Sequence, residues 1–368
     1  PPPPPPPPPF FFHPYPATPD PLWSRGLGDV YKRQALGLLT TVSFAQDLNV
    51  ESRTRIDMSG DNDKQVTNQR VTTGVTFGGS NWGIYMSNDF NYTLGVDGDP
   101  TATIYEAYGS TDLMGFANLT IGRQALNYGS GALMSTNDWG NDRTTWDGMK
   151  FDFNLDAVSA SLGYANVNGD MTGNEDYSRT WVNVAGNFSG FDVNVLYMDK
   201  QLGDADDSDA AMGIDLSGEI AGANIMASIN SDYEGDKMNM FGLTYSINDD
   251  MSIMVSQTSY DEDNDGDFGM AGTNMDGSWD VTGNLGYLAS GMDDLTIGLN
   301  YDMGSVSLGA ALHTITDNND DDYERSATEI NLGYSFSDNA ALGITMISDD
   351  MGMDADDTYT YVTLTITP

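Results

Sequence analysis

The sequence predicts an all-β protein: a transmembrane, antiparallel up-and-down β-barrel of about 18 strands, with 16 as the alternative count. Three observations carry that expectation. Blocks of about ten residues alternate apolar and polar side chains with period two. The connections between blocks run short, then long, then short again. No apolar run reaches the roughly 20 residues that a membrane helix needs, whereas about ten residues is the length of a tilted membrane strand.

The chain opens on residues outside this pattern. Nine prolines and a Phe-rich stretch lead into Ser24–Gln34, "SRGLGDVYKRQ", which matches an in-frame reading of the adapter used in transposase-based sequencing libraries. Residues 1–34 are therefore set aside as an adapter-derived, disordered artefact. Residues 35–45 form an eleven-residue apolar run, too short to cross a bilayer. It ends in Ser43-Phe44-Ala45, the small-x-small pattern a signal peptidase accepts, and reads as a partial signal peptide. The barrel is expected over residues 46–368.

Charge narrows the class. Setting aside Arg25, Lys32, Arg33, Asp20 and Asp29 leaves 11 basic and 53 acidic residues of the chain's 14 and 55. Such a field repels nucleic acid, so no nucleic-acid partner is expected. The absence of cysteine excludes disulfides and thiol chemistry. Disorder is the other reading of so acidic a chain, but regular blocks of aromatic and β-branched residues argue against it.

The first strand puts Leu48, Val50, Ile56 and Met58 toward lipid, and so Glu51, Arg53, Arg55 and Asp57 toward the lumen. Arg70 opposes Val71, Val75 and Phe77 and faces inward too. Tight turns are expected at 77–82, 112–115, 155–158, 188–191, 220–223, 247–250, 302–305 and 337–340. Long acidic loops should centre near residues 62, 98, 136, 173, 205, 234, 276, 321 and 353. Eight turns and nine loops make eighteen strands, with both ends of the chain on the tight-turn side.

In "MKFDFNLD", Met149, Phe151, Phe153 and Leu155 oppose Lys150, Asp152 and Asn154. Lys150 on strand six and Arg179 on strand eight therefore face inward, because a charge in hydrocarbon costs roughly 2–4 kcal/mol at the midplane. Residues 277–289 also alternate, and we place them in a hairpin within loop 261–292; otherwise the strand count shifts. "DLTIGLNYD" sets Leu295, Ile297, Leu299 and Tyr301 against Thr296, Gly298, Asn300 and Asp302. "SVSLGAALHT" sets Val306, Leu308, Ala310 and Leu312 against Ser307, Gly309, Ala311 and His313. The last strand, "TYTYVTLTITP", points Val362, Leu364 and Ile366 outward, and it stops at Pro368 without the terminal aromatic that barrel assembly machinery reads. A soluble sandwich would alternate as well, but has no reason to keep its long loops at one end.

The stretch 120–153 is the one long connection that is not simply acidic. It carries Gly122-Arg123-Gln124, Tyr128-Gly129, Asp138-Trp139 and Arg143-Thr144-x-Trp146-Asp147-Gly148. These residues resemble the outer-membrane porins of the alginate-export kind and their relatives in Bacteroidota. The resemblance implies an eighteen-stranded outer-membrane channel whose third outer loop, 125–147, folds inward and narrows the pore. It brings Arg123, Asp138, Trp139, Asp142, Arg143 and Asp147 to the constriction, beside the inward Arg53, Arg55, Arg70, Lys150 and Arg179. It does not carry over alginate, since an exporter of an anionic polysaccharide should present more lumen arginines.

The expected activity is passive diffusion of small hydrophilic solutes or ions through a water-filled porin in the bacterial outer membrane, the solute and ion selectivity being left open. The alternative is a non-conducting structural or adhesive barrel with ion-binding acidic loops. The lumen arginines serve either selectivity or salt bridging, and the two roles are compatible. No enzyme is expected: outside residues 1–34 only His313 remains, and no Gly-x-Ser-x-Gly motif occurs. Asp261, Asp263 and Asp265 have the initial spacing of a calcium loop, but its twelfth position is Gly272 instead of the bidentate Glu. At most a loosely held calcium is expected there, and no other cofactor. Expected partners are outer-membrane lipid, lipopolysaccharide and the assembly machinery, with the protein a monomer or trimer.

Overall fold

The computed structural model describes residues 47–60, 64–96, 98, 100–167, 177–202, 208–262, 266–269, 285–350 and 356–368. The adapter-like and signal-like segments lie outside these. The described chain contains eighteen strands: β1 (Asp47–Asp57), β2 (Val66–Gly78), β3 (Trp82–Thr93), β4 (Thr101–Asp112), β5 (Asn118–Gln124), β6 (Trp146–Asn154), β7 (Val158–Val167), β8 (Tyr177–Phe188) and β9 (Phe191–Leu202) form one half. The other half is β10 (Ser208–Ile220), β11 (Ala223–Ser231), β12 (Lys237–Asn248), β13 (Met251–Tyr260), β14 (Met292–Asp302), β15 (Val306–Asp317), β16 (Asp320–Ser337), β17 (Ala340–Asp350) and β18 (Asp356–Ile366).

Each strand pairs antiparallel with its sequence neighbours, and β1 pairs with β18 through Thr54↔Leu364, which closes the cylinder. Closure leaves no unpaired edge, the condition for a sheet in lipid. All eight tight turns fall where the sequence places them, and several need left-handed backbone. Ser189-Gly190 (φ 56° and 91°) and Ala221-Gly222 (φ 52° and 84°) are two-residue turns with both φ positive, the twist that matches flanking strands.

The outer surface is apolar. Leu48, Ile84, Ile121, Leu162, Tyr197, Leu243, Ile297, Leu312 and Ile330 stand exposed on nine strands distributed around the cylinder. At the tight-turn end, exposed and half-buried aromatics form a girdle in contacting pairs: Phe77 with Trp82, Phe116 with Phe153, and Tyr334 with Phe336. A continuous apolar band edged by aromatic rings is the surface of a barrel whose outer solvent is lipid.

Four connections expected to be long are short: those near residues 205, 234 and 353 span five residues each, and the one near 321 is shorter still. Instead of a long loop near 321, β15 and β16 meet in a two-residue turn, Asn318-Asn319, because β16 runs for 18 residues. Its first turn of sequence, Asp320–Asp322, is polar on both faces; a strand beyond the apolar band has no greasy side to reveal it. The proposed hairpin at 277–289 lies outside the described residues up to 284, and residues 285–289 form no strand.

Candidate functional site: a lumen crossed by an inward loop

Strand β5 ends at Gln124 and β6 begins at Trp146, so residues 125–145 form the connection, two residues shorter than the sequence suggests. This loop folds into the barrel. It is tied to itself by Tyr128 N–H to Met134 O (3.2 Å) and Thr144 N–H to Thr136 O (2.8 Å). It touches two opposite arcs of wall with different chemistry.

On the β1–β4 arc the contacts are charged. Arg53 and Arg70 lie directly opposite each other across β1 and β2. Both donate to the loop's main chain: Arg53 Nη1 to Asp138 O (2.5 Å) and Nη2 to Gly140 O (2.8 Å), Arg70 Nη1 to Gly140 O (2.9 Å). Arg55 Nη1 donates to Trp139 O (2.7 Å), and its guanidinium lies 3.6 Å from the Trp139 ring centroid. Carbonyl dipoles and an aromatic face thus hold three like charges that would otherwise repel. Glu51 supplies one counter-charge, 3.2 Å from Arg70.

The loop answers with its own cation. Arg143 makes a bidentate pair with Asp89 of β3 (2.6 and 3.0 Å) and reaches the Asp138 carboxylate at 3.2 Å. Its guanidinium also lies 3.3 Å from the Tyr105 ring centroid. A bulge makes that contact: the register of β3 with β4 shifts between Ser87 and Asn88, so Tyr105 is an extra residue on β4. Tyr105 and its neighbour Glu106 both turn inward, and the Glu106 carboxylate accepts the Ala125 N–H at 3.1 Å.

On the arc from β7 to β12 the contacts are apolar. Leu133 and Met134 are buried against Trp181, Leu196, Met198, Ala211 and Met238, all of them on the lumen face of the wall. Trp181 lies over Gly163, where a Cβ would come within 2.0 Å of its ring. Trp181 also donates to Tyr128 Oη at 3.3 Å. The loop tip rests on Gly129 (φ 57°), whose missing side chain makes room for the Asp215 carboxylate. From above, Tyr287 of the 261–291 connection donates to Ala132 O (2.5 Å) and packs edge-on against Phe268. That upper connection is tied to the β11–β12 turn by Asp232, whose carboxylate accepts the N–H groups of Glu234, Asp236 and Gly269, each at 3.0 Å. Burial pushes the Asp232 carboxyl up, against the pull of those amides.

Of the sequence-derived site residues, Arg53, Arg55, Arg70, Asp138, Trp139 and Arg143 meet at the β1–β4 clamp. Exposed Asp142 neighbours it, and Asn141 O accepts from Asn91 at 3.1 Å. Lys150 faces the lumen in β6 beside Asp152 (3.1 Å), away from the clamp. Arg179 is inward on β8, directly opposite Lys200, and both cations flank the rings of Tyr177 and Tyr233.

Arg123 and Asp147 are corrections. Each shares its strand face with the exposed Ile121 or Met149, so both point outward near the outer rim, as a bidentate pair at 2.7 and 2.6 Å. The pair neutralises itself there, which is how two charges can sit on the outer face. His313 is inward as expected, but it has company: Nδ1 lies 2.8 Å from Asp294 Oδ2 and 3.1 Å from Thr296 Oγ1, with Glu329 3.6 Å from Nε2. Of the calcium residues, Asp263 and Asp265 lie outside the described residues, while Asp261 accepts from Lys237 Nζ at 2.7 Å.

No protein-family model matches the chain, and no curated protein matches it in sequence. Solved structures match its fold. OccK8 (OprE) of Pseudomonas aeruginosa superposes with a TM-score of 0.67 at 12% identity, over 88% of this chain and 99% of that one. The outer membrane protein OpdK from the same organism, also solved with vanillate, gives 0.66 at 10% identity over 88% and 99%. OccAB1 of Acinetobacter baumannii gives 0.65 at 13% identity over 88% and 97%. The chain thus shares the fold of these barrels over nearly their whole length. Nothing in these likenesses supports the alginate-export family suggested by residues 120–153.

Proposed function

We propose that the chain is an outer-membrane porin: a water-filled barrel for passive diffusion of small hydrophilic solutes, narrowed by the 125–145 loop. The observation that carries this reading is the loop itself. A closed barrel with an apolar exterior and polar lower walls contains a segment held across its lumen by a dedicated set of side chains. The reading is of a channel and not an enzyme. Any kinship to the alginate-export porins would rest on residues 120–153 alone, and no family-specific solute is part of the proposal. Calcium, lipopolysaccharide and oligomeric state stay outside it.

The apolar packing of Leu133, Met134, Phe268 and Leu288 inside the upper lumen favours a second reading, a barrel closed by its own loops. Planar-bilayer recording of the purified full chain in detergent-free membranes separates the two. Stepwise, ohmic current increments are expected for the porin. A protein that inserts but gives no steps overturns the porin in favour of the closed barrel.

A further inference from the structure

Below the tip of the inward loop, the wall formed by β7 to β12 changes from apolar to acidic. A cavity of about 510 Å³ opens there between the loop tip and the wall. Asp192 of β9 and Asp215 of β10 supply its charge, Asn194 and Ser130 part of its hydrogen-bonding surface, and Met226 and Met240 an apolar side. No Lys, Arg or His lines it.

The two carboxylates have only neutral partners. Asp215 accepts from Ser228 Oγ at 2.6 Å, and Asp192 accepts from Asn187 Nδ2 at 2.8 Å. Neither takes part in a salt bridge among the described residues, whereas Asp89, Asp349, Asp147 and Asp261 all do. A second feature is an unmet donor: Asn194 Nδ2, directly opposite Asp215 across β9 and β10, is buried without a hydrogen-bond partner. The positive charge of the barrel lies elsewhere. The guanidinium groups of the β1–β4 clamp are occupied by loop carbonyls and Asp89, and Lys150 is paired with Asp152. Arg179 and Lys200, at the far ends of β8 and β9 from Asp192, flank the rings of Tyr177 and Tyr233. What a solute meets beneath the tip is therefore uncompensated negative charge, hydroxyl and amide groups, and a thioether face.

We propose that this cavity is a transit site for small cationic, hydroxyl-bearing solutes of the amino-sugar class, in preference to carboxylate-bearing ones. The carboxylates attract the ammonium group, the Ser and Asn side chains exchange hydrogen bonds with ring hydroxyls, and the methionines cover the C–H face of the ring. The inference rests on the porin reading and adds its selectivity. Like-signed groups in a low-dielectric cleft raise the local concentration of a counter-charged solute by about tenfold or more, less as salt increases.

The test uses the full chain in planar bilayers, with glucosamine hydrochloride, glucose and sodium glucuronate as probes. Under a KCl gradient the reversal potential should favour potassium. Glucosamine should interrupt the current at about one tenth of the concentration that glucose or glucuronate requires. Asp192→Asn, which keeps an acceptor for Asn187, should reduce both preferences while conductance steps persist; Asp192→Asn with Asp215→Asn should abolish them. Equal block by glucosamine and glucuronate in the unaltered protein, which needs no variant to fold, overturns the selectivity and leaves the porin standing. So does an Asp192→Asn channel that keeps the full preference. Absence of any current step overturns the porin reading and this inference with it.

Discussion

One loop is held at its two flanks by opposite means. Against β1–β4 it is gripped through its backbone: guanidinium groups of Arg53, Arg55 and Arg70 hold the carbonyls of residues 138–140, and Arg143 returns a charge to Asp89. Against β7–β12 it is seated by its side chains: Leu133 and Met134 fill a surface made by Trp181, Leu196 and Met198. The difference is one of range and tolerance. Apolar seating is non-directional and grows with the area removed from water. A charged clamp fixes position sharply but leaves an unpaired buried charge when one partner goes. The apolar flank supplies holding strength, and the charged flank sets where the constriction stands.

Breaking the apolar flank should have the larger effect. Trp181 is 1% exposed and spans the gap from β7 to Tyr128. Trp181→Ala should cost about 3–5 kcal/mol, the usual range for emptying a buried aromatic site. Urea unfolding of the detergent-solubilised barrel measures this. Because the loop loses its seat, the same variant should give larger and noisier conductance steps. A quiet channel of unaltered size would mean that the clamp alone holds the loop.

The charged flank is probed at Asp89, whose side chain and that of Arg143 are 3% and 8% exposed. Asp89→Asn leaves the guanidinium with the neutral Thr72, whose Oγ1 accepts from Arg143 Nη2 at 3.1 Å, with Tyr105, and with the exposed Asp138 carboxylate. The expected loss is about 3 kcal/mol, the low end for a buried pair with one partner removed. The pore should keep most of its size and shift in ion preference. If Asp89→Asn destabilises more than Trp181→Ala, the assignment of strength to the apolar side is wrong.

The two flanks also differ in how far the sequence revealed them. In a chain with 14 basic residues each arginine stands out, and period-two alternation fixes its side, so Arg53, Arg55 and Arg70 were legible. Asp89 and Tyr105 were not: one acid among 55 acidic residues carries no signal, and a single-residue bulge inverts the alternation after it without any mark of its own. The apolar seat was hidden by the rule that found the barrel. That rule assigns greasy side chains to lipid, yet in "VNVLYMDK" of β9 Val193, Val195 and Tyr197 face out while Leu196 and Met198 face in. Apolar residues at successive positions were the available clue that something inside needed covering. The Asp294–His313 contact was equally reachable, because Thr296 opposes His313 in the register and Asp294 lies two residues along the same face.

Arg123 gives the smallest effect and the sharpest check on which side of the wall a charge occupies. Its side chain is 41% exposed and that of its partner Asp147 53%, both on the outer face at the rim. Exposed pairs contribute about 0.2–1 kcal/mol, so Arg123→Gln should barely move the unfolding midpoint. The decisive measurement is electrical. A charge outside the barrel is shielded from the lumen by the wall, so the reversal potential of Arg123→Gln should match that of the unaltered channel. Neutralising lumen-facing Arg70 in the same way should move it toward cations. Were the Arg123 variant to shift selectivity as Arg70 does, its side chain would belong to the lumen after all, and the parity of β5 and β6 that places it outside would have to be reversed, along with that of Thr120, Gln124 and Trp146 on the opposite face.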